Sequence, residues 1–153
     1  MSDAGKPTEG KEEKSIRSRF QEIQQLTVPE KIKLAMTGDK EARSILIKDS
    51  NKQVQEAALD NPRITEMEIV GVANSRTASD ELLRKIVNNR QWMKNYQVRL
   101  GLVNNPKTPL SVALKLTGSL MTADLKRLAK SKGVSNVLAT AAQRLLTRKG
   151  QNS

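Results

Sequence analysis

The chain has 153 residues, a net charge of +11, 37 % hydrophobic residues, and neither Cys nor His. This length suits one compact domain or a short repeat array. The missing Cys excludes disulfides, thiolate nucleophiles and Cys-based metal sites, and the missing His removes the usual general base and the commonest metal ligand.

Aromatic residues are limited to Phe20, Trp92 and Tyr96. The core must therefore be built from Leu, Ile, Val, Ala and Met, which suits thin layers of helix on helix. The N-terminus has no apolar run of the kind a secretory signal needs. No run approaches the roughly 20 apolar residues of a membrane span. A soluble, cytoplasmic protein without a membrane span is the expectation.

Charge is unevenly spread. Residues 1–26 hold 5 basic and 5 acidic side chains, residues 27–75 hold 7 and 8, and residues 76–153 hold 15 and 3. The excess belongs to the C-terminal half, which points to an anionic partner or to a well-solvated surface.

Residues 1–14 are polar and are predicted to be a disordered tail. Ile16, Phe20 and Ile23 then mark an amphipathic helix. Thr27 and Glu30 form a predicted capping box, with Pro29 in the first turn and Val28, Ile32, Ala35 and Met36 on one face. Gly38 ends that helix. Asp39 caps the next, which carries Ala42, Ile45 and Leu46. Asn51 caps a third, with Val54, Ala57 and Ala58, and Asn61-Pro62 stops it.

Thr65 and Glu68 form a second capping box, ahead of Ile69, Val70, Val72 and Ala73. Ser79 opens a helix with Leu82, Leu83, Ile86 and Val87. In the segment from Gln91 to Val103, Trp92 and Tyr96 fall at i, i+4 and can share one side of a turn. Thr108-Pro109 starts another helix, and Thr122 caps one with Leu125, Leu128 and Ala129. The last carries Val134, Val137, Leu138, Ala141, Ala142, Leu145 and Leu146. Residues 150–153 form a second polar tail.

Val54 to Thr65 (VQEAALDNPRIT) reappears 44 residues later as Val98 to Pro109 (VRLGLVNNPKTP). Each copy runs an apolar helix into Asn-Pro and a basic residue: Asn61-Pro62-Arg63 and Asn105-Pro106-Lys107. Two degenerate junctions lie between them, Asn74-Ser75-Arg76 and Asn88-Asn89-Arg90. About ten helices of this length are too short to be stable alone. Stacking them into a solenoid over 15–149 covers their apolar stripes.

The residues Val54, Ala57, Ala58, Leu59, Asn61, Pro62 and Thr65 carry a resemblance, and so do Val98, Leu102, Val103, Asn105, Pro106, Thr108 and Pro109. The chain resembles the leucine-rich repeat variant family over roughly residues 50–120. More broadly it resembles HEAT and armadillo helical repeats. The resemblance implies an all-α fold, a right-handed α-α superhelix used for binding rather than for a reaction. Some members of that family carry an iron–sulfur cluster on a Cys-rich segment, which this chain cannot do.

The junction cations Arg63, Arg76, Arg90 and Lys107 have two readings. As structure, Asn tolerates the left-handed conformation at a helix end, and a cation there gains about 0.3–1 kcal/mol from the helix dipole. As function, successive junctions of an alternating array fall on opposite edges, and rows of cations one helix layer (about 10 Å) apart suit a phosphate backbone or an acidic helix.

Trp92 and Tyr96, interleaved with Lys94 and Arg99, suit base stacking and cation–π contact, or else fill a gap in the repeat. Lys126, Arg127 and Lys130 face away from the apolar stripe of their helix and read either as a solvated face or as a binding surface. The acids Asp80, Glu81 and Asp124 fit helix first turns, and no carboxylate pair, nucleophile–base set or phosphate loop stands out. A small repeat-type enzyme acting on DNA through Trp92, Tyr96 and Asp124 lacks any supporting motif.

The expected function is non-enzymatic: a helical-repeat scaffold that recognises an acidic protein partner. The alternative is a nucleic-acid-binding module that uses the basic C-terminal half. Neither cofactor nor metal is expected, and the sequence leaves the oligomeric state open.

Overall fold

Short helices need their ends satisfied, because the first four N–H groups and last four carbonyls have no partner within the helix. The capping residues of this chain therefore set its boundaries. The computed structural model describes residues 7–151, and among these it holds eleven helices and no strand. The fold is all-α.

The chain divides into two compact units, residues 1–63 and 64–153, where the sequence suggests one domain over 15–149. The first unit contains α1 (Pro7–Gln24), α2 (Val28–Thr37), α3 (Lys40–Leu46) and α4 (Lys52–Leu59). The second contains α5 (Glu66–Ala73), α6 (Asp80–Val87), α7 (Arg90–Met93), α8 (Tyr96–Asn104), α9 (Leu110–Thr117), α10 (Thr122–Lys130) and α11 (Asn136–Gln151). Residues 7–14, predicted as tail, form the opening turns of α1. The rest of that predicted tail lies outside the described residues. At the other end α11 runs on to Gln151, and residues 152–153 lie outside the description as well.

Each unit closes its own apolar cluster. In the first, Ile23, Ala35, Ala42, Leu46, Val54, Ala57 and Ala58 are buried together, and α2 packs on α4. In the second, Val103, Ala113, Leu120, Leu125, Leu128, Leu138 and Ala142 are buried together, with α10 packed along α11. Contacts join helices near one another in sequence. The apolar stripes are partly wider than the cores they feed. Phe20, Val28, Met36 and Val137 all remain exposed.

The 44-residue spacing of the sequence is kept at the starts of α4 and α8 and in α5 and α9. Adding 44 to the bounds of α5 gives those of α9. Asn51 caps α4 by accepting from the backbone N–H groups of Gln53 and Val54, and Asn95 caps α8 through Gln97 and Val98. The capping boxes at Thr27/Glu30 and Thr65/Glu68 form as expected. The second copy loses the box, since Pro109 stands at the N-cap of α9 without a side-chain bond. Likewise Met121, not Thr122, occupies the N-cap of α10.

The Asn-Pro junctions differ from expectation in kind. No residue, Gly included, has positive φ among those described, so Asn61 and Asn105 are not left-handed helix stops. Both are buried. The Asn61 Nδ2 donates to the carbonyls of Ala35 and Gly38, each at 3.0 Å. Its Oδ1 accepts from the Arg63 N–H at 2.9 Å. The Asn105 Nδ2 donates to the carbonyls of Ala73 and Ser75, each at 2.8 Å, while its Oδ1 accepts from the Lys107 N–H at 2.9 Å. Each amide thus staples its loop onto the C-terminal end of an earlier helix, α2 in one case and α5 in the other. The degenerate junctions do not do this. Asn74 and Asn88 are exposed C-caps, and Asn89 is the N-cap of α7.

Gly38 is needed at the first staple for space, not for backbone freedom. Its backbone is extended (φ −76°, ψ 169°), but a Cβ there would sit 2.5 Å from the Leu34 carbonyl oxygen and 2.8 Å from the Ala42 Cβ. Its own carbonyl accepts from both Asn61 and the buried Arg43, whose Nη1 lies 3.0 Å away. A buried ion pair, Lys31 Nζ to Asp49 Oδ1 at 2.9 Å, joins α2 to the turn before α4.

The N-terminal helix α1 is tied down by Ile23 and by the Arg19 guanidinium, which reaches Asp39 at 2.8 Å and Glu41 at 2.7 Å. Asp39 also caps α3 through the Ala42 N–H.

Replacing Asn61 or Asn105 by Ala removes the side-chain donor to the buried Ala35 or Ala73 carbonyl, while Gly38 keeps Arg43 and Ser75 keeps the Ala78 N–H, and a loss of about 1–3 kcal/mol is expected. Asn88→Ala, at an exposed cap, is expected to stay within about 0.5 kcal/mol. Chemical denaturation of the three variants tests this, and equal effects at Asn105 and Asn88 would remove the staple.

The Arg19 bond, with help from the Ala42 N–H, lowers the Asp39 carboxyl from 3.8 to about 2. Because the folded value is the lower one, this contribution is complete above the ordinary value and is lost as pH falls through about 2. Asp39 is largely exposed, so the effect is small and local. Hydrogen-exchange protection of α1 is expected to drop on acidification through that range, and to be low at every pH in Arg19→Ala. Unchanged protection in that variant would show that Ile23 alone holds α1.

Candidate functional site

The two units differ in charge. Residues 1–63 hold 12 basic and 11 acidic side chains, and residues 64–153 hold 15 and 5. All five acids of the second unit stand in helix first turns: Glu66 and Glu68 in α5, Asp80 and Glu81 in α6, Asp124 in α10. There they complement the positive end of the helix dipole. Glu68 is part of a capping box, Glu66 accepts from the Asn95 amide, and Asp124 is turned inward to Tyr96. The acids are thus drawn to helix starts.

The cations are placed the other way. Arg76, Arg90, Lys94, Lys107, Lys126, Arg127 and Lys130 are all exposed. Arg63 is exposed too, at the end of the first unit. Within the second unit, the Asn105 staple brings two junctions together. Its amide bonds the carbonyl of Ser75, the neighbour of Arg76, while its oxygen pins the backbone of Lys107. Arg76 and Lys107 therefore flank one staple, and each is presented from backbone that the staple holds. Lys126 and Lys130 are one helical turn apart on α10, with Arg127 beside them and loosely paired to Asp124 at 3.4 Å.

Arg99, Tyr96 and Trp92 are not one cluster of exposed stacking groups. The segment predicted to run from Gln91 to Val103 is two helices, because Asn89 caps one start and Asn95 another. Trp92 on α7 and Tyr96 on α8 therefore lose their i, i+4 relation. The Arg99 Nη1 donates to the carbonyls of Met93 at 2.8 Å and Lys94 at 3.0 Å, closing the C-terminal end of α7. Its guanidinium lies 5.5 Å from the Tyr96 ring centroid. The Tyr96 hydroxyl donates to Asp124 and accepts from the Met121 N–H at 3.1 Å, which fixes the start of α10. Arg99 and Tyr96 are thus engaged in holding three helices together, and Trp92 is half-buried.

In the sequence Lys149, with Arg144 and Arg148, lies off the apolar stripe of the last helix and reads either as a solvated face or as a binding surface. In the fold it comes beside Lys126 and Lys130, in a groove between α10 and α11. Only the pairing of those two helices brings the three lysines together.

Burial, and then the bond to Asp124, raise the Tyr96 phenol above its ordinary value of 10.0. Since the folded value is the higher one, the linked stability is complete below the unfolded value and is lost as pH rises through the folded one. Tyr96 is the only tyrosine, so phenolate absorbance reads it directly. Its midpoint is expected above 10.0 and lower in Asp124→Asn. A midpoint that does not move in that variant would argue against the bond.

Among the described residues, no helix is long and apolar enough to cross a membrane, and no group of carboxylates is placed to hold a metal ion. The chain matches no family model, no curated protein and no solved structure.

Proposed function

We propose that this chain is a non-enzymatic helical-repeat binding module, of the leucine-rich repeat variant, HEAT or armadillo kind, that recognises an acidic protein partner in the cytoplasm. The observation that carries the reading is the separation of charge in residues 64–153. Five acids lie at helix starts, while the cations Arg76, Lys107, Lys126 and Lys130 face solvent. A surface of one sign steers and orients an oppositely charged partner, and its effect on association is greater than on fold stability. Scaffold use fits the short-helix packing, in which Asn105 holds the loop that carries Lys107. The lack of His and Cys, and the capping positions of the acids, leave no evident acid–base or nucleophilic set.

A second reading, nucleic-acid binding through the same basic half, is favoured by the half-exposed Trp92 between the exposed Arg90 and Lys94. Such binding would weaken steeply with salt through counterion release.

The test is capture by the full chain with and without nuclease. Acidic proteins are expected to remain bound after nuclease treatment. They are expected to be lost when Arg76, Lys107, Lys126 and Lys130 are all changed to Glu. Capture that disappears with nuclease supports the second reading. Capture unchanged by the four substitutions removes both readings.

A further inference from the structure

The α10–α11 pair carries an open groove of about 640 Å³. From α10 it is lined by Thr122, Lys126, Ala129 and Lys130, and from α11 by Gln143, Leu146 and Lys149. These positions follow helical spacing on each helix, so two stripes face one another. Ala129 and Leu146 give the groove an apolar floor. Lys126 and Lys130 are exposed on one wall. The Lys149 Nζ stands on the other, 3.2 Å from the Leu120 carbonyl. No acidic side chain lines the groove. Asp124, the one acid of this helix pair, is turned to Tyr96.

We infer that this groove is a docking site for an acidic amphipathic helix of a partner protein. The inference rests on the acidic-partner reading above and gives it a location. Charge complementarity selects the occupant, since three ammonium groups around an apolar floor match carboxylates flanking an apolar side chain. The nine residues of α10 span roughly 13 Å at about 1.5 Å per residue, enough for two turns of a bound helix. A nucleic-acid strand fits the lining less well. The groove has no aromatic ring for a base to stack on and no Arg to fork onto a phosphate, and the floor offers an apolar side chain a place that a phosphate backbone would leave empty.

The experiment uses the full chain and a synthetic helical peptide of about 16 residues, with Leu along one face flanked by Glu. Binding is followed by fluorescence anisotropy and by backbone amide shifts at low ionic strength. Shifts are expected over residues 122–130 and 143–150. Affinity is expected to fall about tenfold or more in Lys126→Glu/Lys130→Glu and to change little in Arg84→Glu/Lys115→Glu, at exposed cations of α6 and α9 outside the groove. A Lys126→Ala/Lys130→Ala chain should give the same direction with less effect, which guards against misfolding in the Glu variant. A peptide with Ser in place of Leu should bind weakly.

Retained affinity in both lysine variants, or shifts confined to the Arg76–Lys107 edge, would overturn the groove while leaving the acidic-partner reading intact. Equal binding of the Ser peptide would overturn the amphipathic occupant. If the peptide fails to bind but an oligonucleotide binds, the groove and the acidic-partner reading fall together.

Discussion

The buried Asn amide is the constraint on which most of this chain depends. A helix of eight residues exposes half its carbonyls at the C-terminal end. In a thin helical layer those carbonyls are close to the core, where an unpaired one is costly. Asn61 and Asn105 each cover two carbonyls of a preceding helix end or its following turn with one amide nitrogen, and use the amide oxygen to fix their own loop. Asp would present an oxygen to those carbonyls, and Ser would reach only one. The side chain must be short, neutral, and both donor and acceptor. Pro62 and Pro106 then prevent the preceding helix from running on.

The staple also explains how the repeat tolerates an insertion. Asn61 reaches back 26 residues to Ala35, whereas Asn105 reaches back 32 to Ala73. Between them the second unit carries an additional short helix, α7, closed at its start by Asn89 and at its end by Arg99. The anchoring bond is the same, and only the length of chain between anchor and target differs.

Much of this was legible in the sequence because caps are local. Thr27 with Glu30, Asp39, Asn51, Thr65 with Glu68, and Ser79 all start helices at the residues where their spacing puts them. The division near Arg63 was not legible, because it depends on which stripes close on one another. Nor was the role of Asn61 and Asn105, since an amide that bonds carbonyls 23 to 32 residues away leaves no local pattern. The sequence leaves Arg99 and Tyr96 between a stacking role and a packing role for the same reason. As sequence they are a cation near an aromatic ring, and only the fold shows the carbonyls and the carboxylate that engage them. Lys149 is legible as a cation off the apolar stripe of its helix, but not as a neighbour of Lys126 and Lys130, which lie on another helix.

The candidate surface follows from the same economy of helix ends. In the first unit, Asp39 caps α3 and still pairs with Arg19, and Asp49 is buried against Lys31, so acids offset cations locally. In the second unit, Glu66 and Asp124 turn toward the neutral partners Asn95 and Tyr96, and the loose contact to Arg127 is the bond shown from Asp124 to a cation. An exposed Lys repelled by its neighbours costs a helix little, because surface charges are screened within about 8–10 Å by physiological salt. The helices therefore stay stable while the field outside them stays positive. The excess of 15 basic over 5 acidic side chains in residues 64–153 is available to an anionic partner that excludes water from the same groups, where the interaction is stronger than in the open surface.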